Sequence, residues 1–140
     1  MKGFRNTKVV GFVLGLALVT LIPAATPWCV HVQSQMNPSQ ELLVHCKSGD
    51  DDLGAQSMGN GNELKWCFNT NIIGTTLFWC YLASNNPVKW VSFNSFLDIG
   101  TFYNKCSNGD CFWVANDSGI WLWNGPVSKY EHWYEWRQGR

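Results

Sequence analysis

The chain of 140 residues is poor in charge: Asp, Glu, Lys and Arg make up 14% of it, ten basic against ten acidic. No basic block stands out, so nothing in it would draw a phosphate backbone over a distance, and no nucleic-acid partner is expected. No run of about 20 apolar residues, the length that spans a bilayer as a helix, is present. The glycine-rich phosphate loop and the G-x-S-x-G serine elbow are also missing. No stretch of about ten residues carries a helical period, and there is neither an internal repeat nor a low-complexity tract.

The residues that are present suggest an address first. Lys2, Arg5 and Lys8 precede the apolar run Val9–Ile22 of 14 residues, which is closed by Pro-Ala-Ala-Thr. A basic region, a short apolar region and small residues make a signal peptide, expected over residues 1–25 and cut between Ala24 and Thr26. Its removal leaves 7 basic against 10 acidic residues, a net charge of −3. The mature protein is expected to be secreted and extracellular, with no membrane insertion after cleavage. All six cysteines, Cys29, Cys46, Cys67, Cys80, Cys106 and Cys111, follow this leader. In an oxidising compartment an even number reads as up to three disulfides, with 15 connectivities open. Cys106 and Cys111 have no matching second pair, so a zinc site is not expected.

Turn chemistry punctuates the rest at short intervals: QMNPSQ, KSGDDDLG, MGNGN, ASNNP, CSNGDC, NDSG and NGP. Between these segments lie runs rich in Val, Ile, Phe, Trp and Thr. This pattern predicts an all-β domain over residues 28–136, an antiparallel β-sandwich of about eight short strands. The strands are expected at 28–34, 41–47, 63–69, 75–83, 88–96, 111–115, 119–123 and 127–136. In 63–69, Leu64, Trp66 and Phe68 share the core face. In 28–34, Val30 and Val32 point inward, which leaves Cys29 outward like Cys67; a bond between these two follows if their strands are neighbours.

The order LLVHCKSGDDDLG, WCFN, TTLFWCYL and KCSNGDC followed by FWVANDSGIWLW resembles the plant self-incompatibility S1 family, the S-protein homologs. The resemblance runs from about Val30 to Trp123. It implies a secreted sandwich with two disulfides, which carry onto this chain as Cys46–Cys111 and Cys80–Cys106; Cys29 and Cys67 go beyond that pattern, and their shared outward parity favours a third bond, Cys29–Cys67. It also implies an extracellular recognition protein, since founding members are pistil-secreted ligands recognised by a pollen-side membrane receptor. The other self-incompatibility chemistry, a secreted ribonuclease, uses two histidine motifs, one resembling HGLWP, and neither is present.

Candidate functional residues follow from these readings. Asp50, Asp51 and Asp52 are contiguous, unlike the alternating ligands of a calcium loop, and are expected to hold a turn by accepting backbone hydrogen bonds. With Asn85 and Asn86 they are candidate receptor contacts, in the segments 49–61 and 84–88, both expected as loops. His31, His45 and His132 sit in no catalytic motif, and no enzyme activity, cofactor or metal is expected. Trp66, Trp79, Trp90 and Trp113 are expected to fill the core. Trp121, Trp123, Trp133 and Trp136 are candidate surface aromatics that could stack on cell-wall carbohydrate, the second reading of function. Asn116, in Asn-Asp-Ser, is the usable N-glycosylation acceptor, because Asn37 is followed by proline.

Overall fold

The computed structural model describes residues 26–139; the expected signal peptide over residues 1–25 lies outside them. The strands are β1 (Trp28–Gln35), β2 (Leu42–Ser48), β3 (Asp52–Met58), β4 (Glu63–Phe68), β5 (Leu77–Asn85), β6 (Val88–Leu97), β7 (Asp110–Asn116), β8 (Gly119–Asn124), β9 (Lys129–Tyr134) and β10 (Arg137–Gln138). A single helical turn, α1 (Gly100–Tyr103), separates β6 from β7. The first sheet has the order β4-β1-β7-β8-β9 and the second β10-β6-β5-β2-β3. Every pairing is antiparallel except β1 with β7, which is parallel.

The inner faces follow the two-residue period of strands. Val30 and Val32 of β1, Val44 and Cys46 of β2, Cys80 and Leu82 of β5, and Ile120 and Leu122 of β8 are fully buried. At the centre lies Trp113 of β7, edge-on to Phe93 at 5.0 Å and to Trp133 at 5.6 Å between ring centroids. Its indole Nε1 donates across the sandwich to the Ser95 carbonyl at 2.9 Å. A bulge makes this bond available: Phe78 and Trp79 of β5 face Phe96 and Asn94 of β6, so Ser95 has no opposite number.

Two expected disulfides are replaced. Cys46 is bonded to Cys80, and Cys106 to Cys111; neither Cys46–Cys111 nor Cys80–Cys106 forms. Cys46 and Cys80 stand directly opposite on the adjacent strands β2 and β5. A bond from Cys46 to Cys111 would instead have to cross the core between sheets packed roughly 10 Å apart. Cys106 and Cys111 close the turn in which Ser107 and Asp110 exchange backbone hydrogen bonds. Cys29 and Cys67 are bonded on the neighbouring strands β1 and β4, where they are in register.

The segment 49–61, expected as a loop, contains β3, so Asp52 opens a strand. Its sequence DLGAQSM has few β-formers, and most of its residues are exposed because it lies at the sheet edge. The expected strand 127–136 begins later, since Gly125–Val127 is a 3-10 turn and Ser128 adopts a left-handed conformation. Between β4 and β5 an exposed loop carries Ile72 and Ile73, the former wholly in solvent.

Candidate functional site

The three aspartates do not act together. Asp52 Oδ1 accepts from the Gly54 amide at 2.9 Å and from His45 Nε2 at 2.6 Å. The Gly54 bond, followed by the His45 contact, holds the Asp52 carboxyl below its usual range. The turn itself is held by Ser48, whose Oγ accepts from the amides of Asp50 and Asp51 at 3.3 and 3.0 Å. Asp50 and Asp51 are exposed. Among the described residues, no three His, Cys, Asp or Glu side chains are grouped to hold a metal ion.

The two sets of contact candidates lie at opposite ends of the second sheet. Ser48, just before Asp50, faces Phe78, whereas Asn85 faces Val88 at the far end of β5. At about 3.3 Å per residue these points are roughly 23 Å apart. The turn Asn85-Asn86 is fastened by the Gln40 side-chain amide, which donates to the Asn86 carbonyl.

Between these ends, the outer face of the second sheet presents residues expected in the core. Trp79 and Trp90 point away from it because their chain neighbours Phe78, Cys80 and Val91 point in. Tyr81 and Trp90 stack with centroids 6.2 Å apart and planes 26° apart. The Arg137 guanidinium lies 5.4 Å from the centre of the Trp90 ring. Leu43, Tyr81 and Val88 are each 38 to 40% exposed, so apolar surface flanks this ladder. Its sequence signal was parity: once Cys80 and Leu82 are assigned inward, Trp79 and Tyr81 must face out.

The terminal aromatics divide. Trp121 and Trp123 of β8 are half-buried on the outer face of the first sheet, edge-on to His132 and Tyr130 respectively, each pair at 4.9 Å. Trp133 and Trp136, expected at the surface, pack against the core instead. Trp133 faces inward by alternation with His132, which lies opposite the outward Trp121, and a bulge opposite Ile120 and Trp121 brings Tyr134 inward beside it. Trp136 Nε1 donates to the Asn116 carbonyl at 2.7 Å, and the buried Lys89 amine sits 5.2 Å from the centre of its ring.

Two of the histidines, His31 and His45, are tied to carboxylates. His31 is buried on the outer side of β1, where Phe112 stacks on it at 4.4 Å. Its Nδ1 lies 2.9 Å from Glu63 Oε1 and its Nε2 2.8 Å from Asp110 Oδ1, so the ring ties β4 to β7 through β1. His45 engages Asp52 through Nε2 alone, and its neighbour Cys46 is oxidised.

Comparison with known proteins adds three findings. Residues 29–136 match the family model described as plant self-incompatibility protein S1. Similar relatives from Arabidopsis thaliana include S-protein homolog 1, 33% identical over 74% of this chain and 68% of its own length. S-protein homolog 21 is 30% identical over 90% of this chain and 95% of its own. Among solved structures, one described as an SPH protein, of a widespread family of small, highly stable, secreted plant proteins, superposes with a TM-score of 0.62. It is 15% identical and covers 82% of this chain and 98% of that one, which is a likeness of fold.

Proposed function

Since the chain belongs to the plant self-incompatibility S1 family, we propose that it is a secreted ligand that binds a membrane receptor protein and acts by recognition rather than catalysis. The observation that carries this reading is the exposed ladder of Arg137, Trp90 and Tyr81 on the second sheet. Trp, Tyr and Arg are the side chains that dominate protein interfaces: Trp and Tyr bury much area while ordering two torsions, and the planar Arg guanidinium both stacks and donates. The disulfide Cys46–Cys80 fixes the strands beneath them, so the face is organised before a partner arrives. The turns at Asp50-Asp51 and Asn85-Asn86 border this face at its two ends and serve as its rim.

Binding of the labelled secreted protein to plant membranes tests the proposal. Saturable, protease-sensitive binding is expected, weakened at least about tenfold by Trp90→Ala or Tyr81→Ala and unchanged by Trp123→Ala. Unaltered binding of both variants would remove the ladder from the interface, and absence of saturable binding would remove the ligand reading.

A second reading, cell-wall carbohydrate binding, is supported by the partial exposure of Trp121 and Trp123. Both are edge-on to their neighbours, at 75° and 66°, so adjacent rings do not form one flat platform for an extended polysaccharide. Retention on wall polysaccharide that is lost on Trp123→Ala would bring this reading forward.

A further inference from the structure

The first sheet's outer face has a feature that neither reading uses. Asn116 ends β7 on that face, and its side-chain Oδ1 accepts three hydrogen bonds: from Ser118 N at 3.0 Å, Ser118 Oγ at 2.8 Å and Trp121 Nε1 at 3.0 Å. All three fall on the oxygen. The Nδ2 of the same amide takes part in none of the three, and Asn116 itself is half-buried.

We propose that Asn116 is N-glycosylated and that the first sugar rests against Trp121, so that the aromatic strip of the first sheet is a platform for the chain's own glycan. In the attachment step, the anomeric carbon of a lipid-pyrophosphate-linked oligosaccharide bonds Asn116 Nδ2. Its C–O bond to the pyrophosphate breaks with the electron pair leaving on the carrier, and Nδ2 gives up one proton. No oxidant or reductant is needed. This proposal is independent of the receptor-ligand reading, which concerns the other sheet.

Three aspects of the geometry favour this occupant over a separate one. The Trp121 indole already touches the amide that would carry the sugar, so contact follows from attachment and needs no second binding event. The apolar C–H face of a hexose ring packs on an indole, and Trp121 is half-buried on the outer face of its sheet. On the opposite side of β7, the β1 residues level with Asn116 and Val114 are Gln35 and Gln33, which bond to each other at 3.1 Å.

The attachment turn is also held in place. Asp117 accepts from the buried Lys89 amine at 3.1 Å and from the Asn37 amide at 3.2 Å. Gly119, at φ +144°, leaves room for His132: a Cβ there would stand 2.5 Å from His132 Nε2 and 2.6 Å from the Tyr134 carbonyl. The His132 ring thus closes over the turn, edge-on to Trp121.

The test uses the full chain secreted from plant cells, with and without an inhibitor of lipid-linked oligosaccharide synthesis, so that the two products differ only in the glycan. Intact mass is expected to show one glycan, absent from Ser118→Ala. The glycosylated form should melt about 4 °C higher and show tryptophan emission at shorter wavelength. Both differences should vanish in Trp121→Ala and persist in Trp123→Ala. An unmodified Asn116 in the secreted protein would overturn the proposal. So would a glycan whose removal shifts melting and emission equally in the wild type and in Trp121→Ala.

Discussion

Replacing Cys46 and Cys80 together by alanine removes a covalent closure of 34 residues between β2 and β5. The chain-entropy relation assigns about 3.8 kcal/mol to a loop of this length. Both sulfurs are fully buried, and truncating them adds about 1 kcal/mol of lost packing. The total of about 5 kcal/mol corresponds to a melting temperature roughly 20 °C lower. The pair Cys106 and Cys111, five residues apart, closes a much shorter loop worth about 2 kcal/mol. Thermal melting of Cys46→Ala/Cys80→Ala and Cys106→Ala/Cys111→Ala should reproduce that order. Thiol titration in denaturant provides a second readout: with Cys46 bonded to Cys80, the first double variant retains no free thiol. Two reactive thiols in that variant would mean that Cys106 and Cys111 had lost their partners, and the ladder pairing would be wrong. A larger loss from the short-loop variant would refute the entropic ranking.

Two further outcomes follow from charged groups. Asp117→Asn leaves the buried Lys89 ammonium without its carboxylate and should cost about 1 to 2 kcal/mol by urea unfolding, less than a fully enclosed pair because Asp117 is half exposed. Glu131 accepts from Asn124 at 3.0 Å and lies 3.1 Å from Lys105 Nζ, contacts that hold its carboxyl below the ordinary value of 4.5. A carboxyl depressed on folding stabilises the fold above its unfolded value and loses that contribution as pH falls through the folded one. Melting temperature should therefore hold steady above about pH 5 and decline below pH 4.5, less steeply in Glu131→Gln.

The sequence carried most of the sandwich because alternation is a local signal. Val30 and Val32, or Leu64 and Trp66, reveal their strands without reference to any partner. The edge strand β3 escaped because Asp52–Met58 is poor in β-formers and exposed, so its strand state comes from pairing with β2. The disulfides show the same division. Cys29 and Cys67 share an outward parity that can be read along each strand, whereas Cys46–Cys80 depends on β2 lying beside β5, which is a property of topology. The wrong placements among these tryptophans trace to parity. Trp79 and Trp90 lie on the wrong side of their strands for a core role, and Trp133 alternates with the outward His132 and so faces the core.

The placement of the disulfides also decides how the molecule survives proteases outside the cell. The loop between β4 and β5 holds Ile72 and Ile73 in solvent and offers a natural point of cleavage. A cut there divides the chain between Cys67 and Cys80. Cys29–Cys67 stays within the first fragment and Cys106–Cys111 within the second, but Cys46–Cys80 spans the break. Each sheet likewise keeps strands from both fragments, β1 beside β7 in one and β2 beside β5 in the other. A protein nicked once at this loop therefore remains a single covalent molecule with both of its outer faces in place.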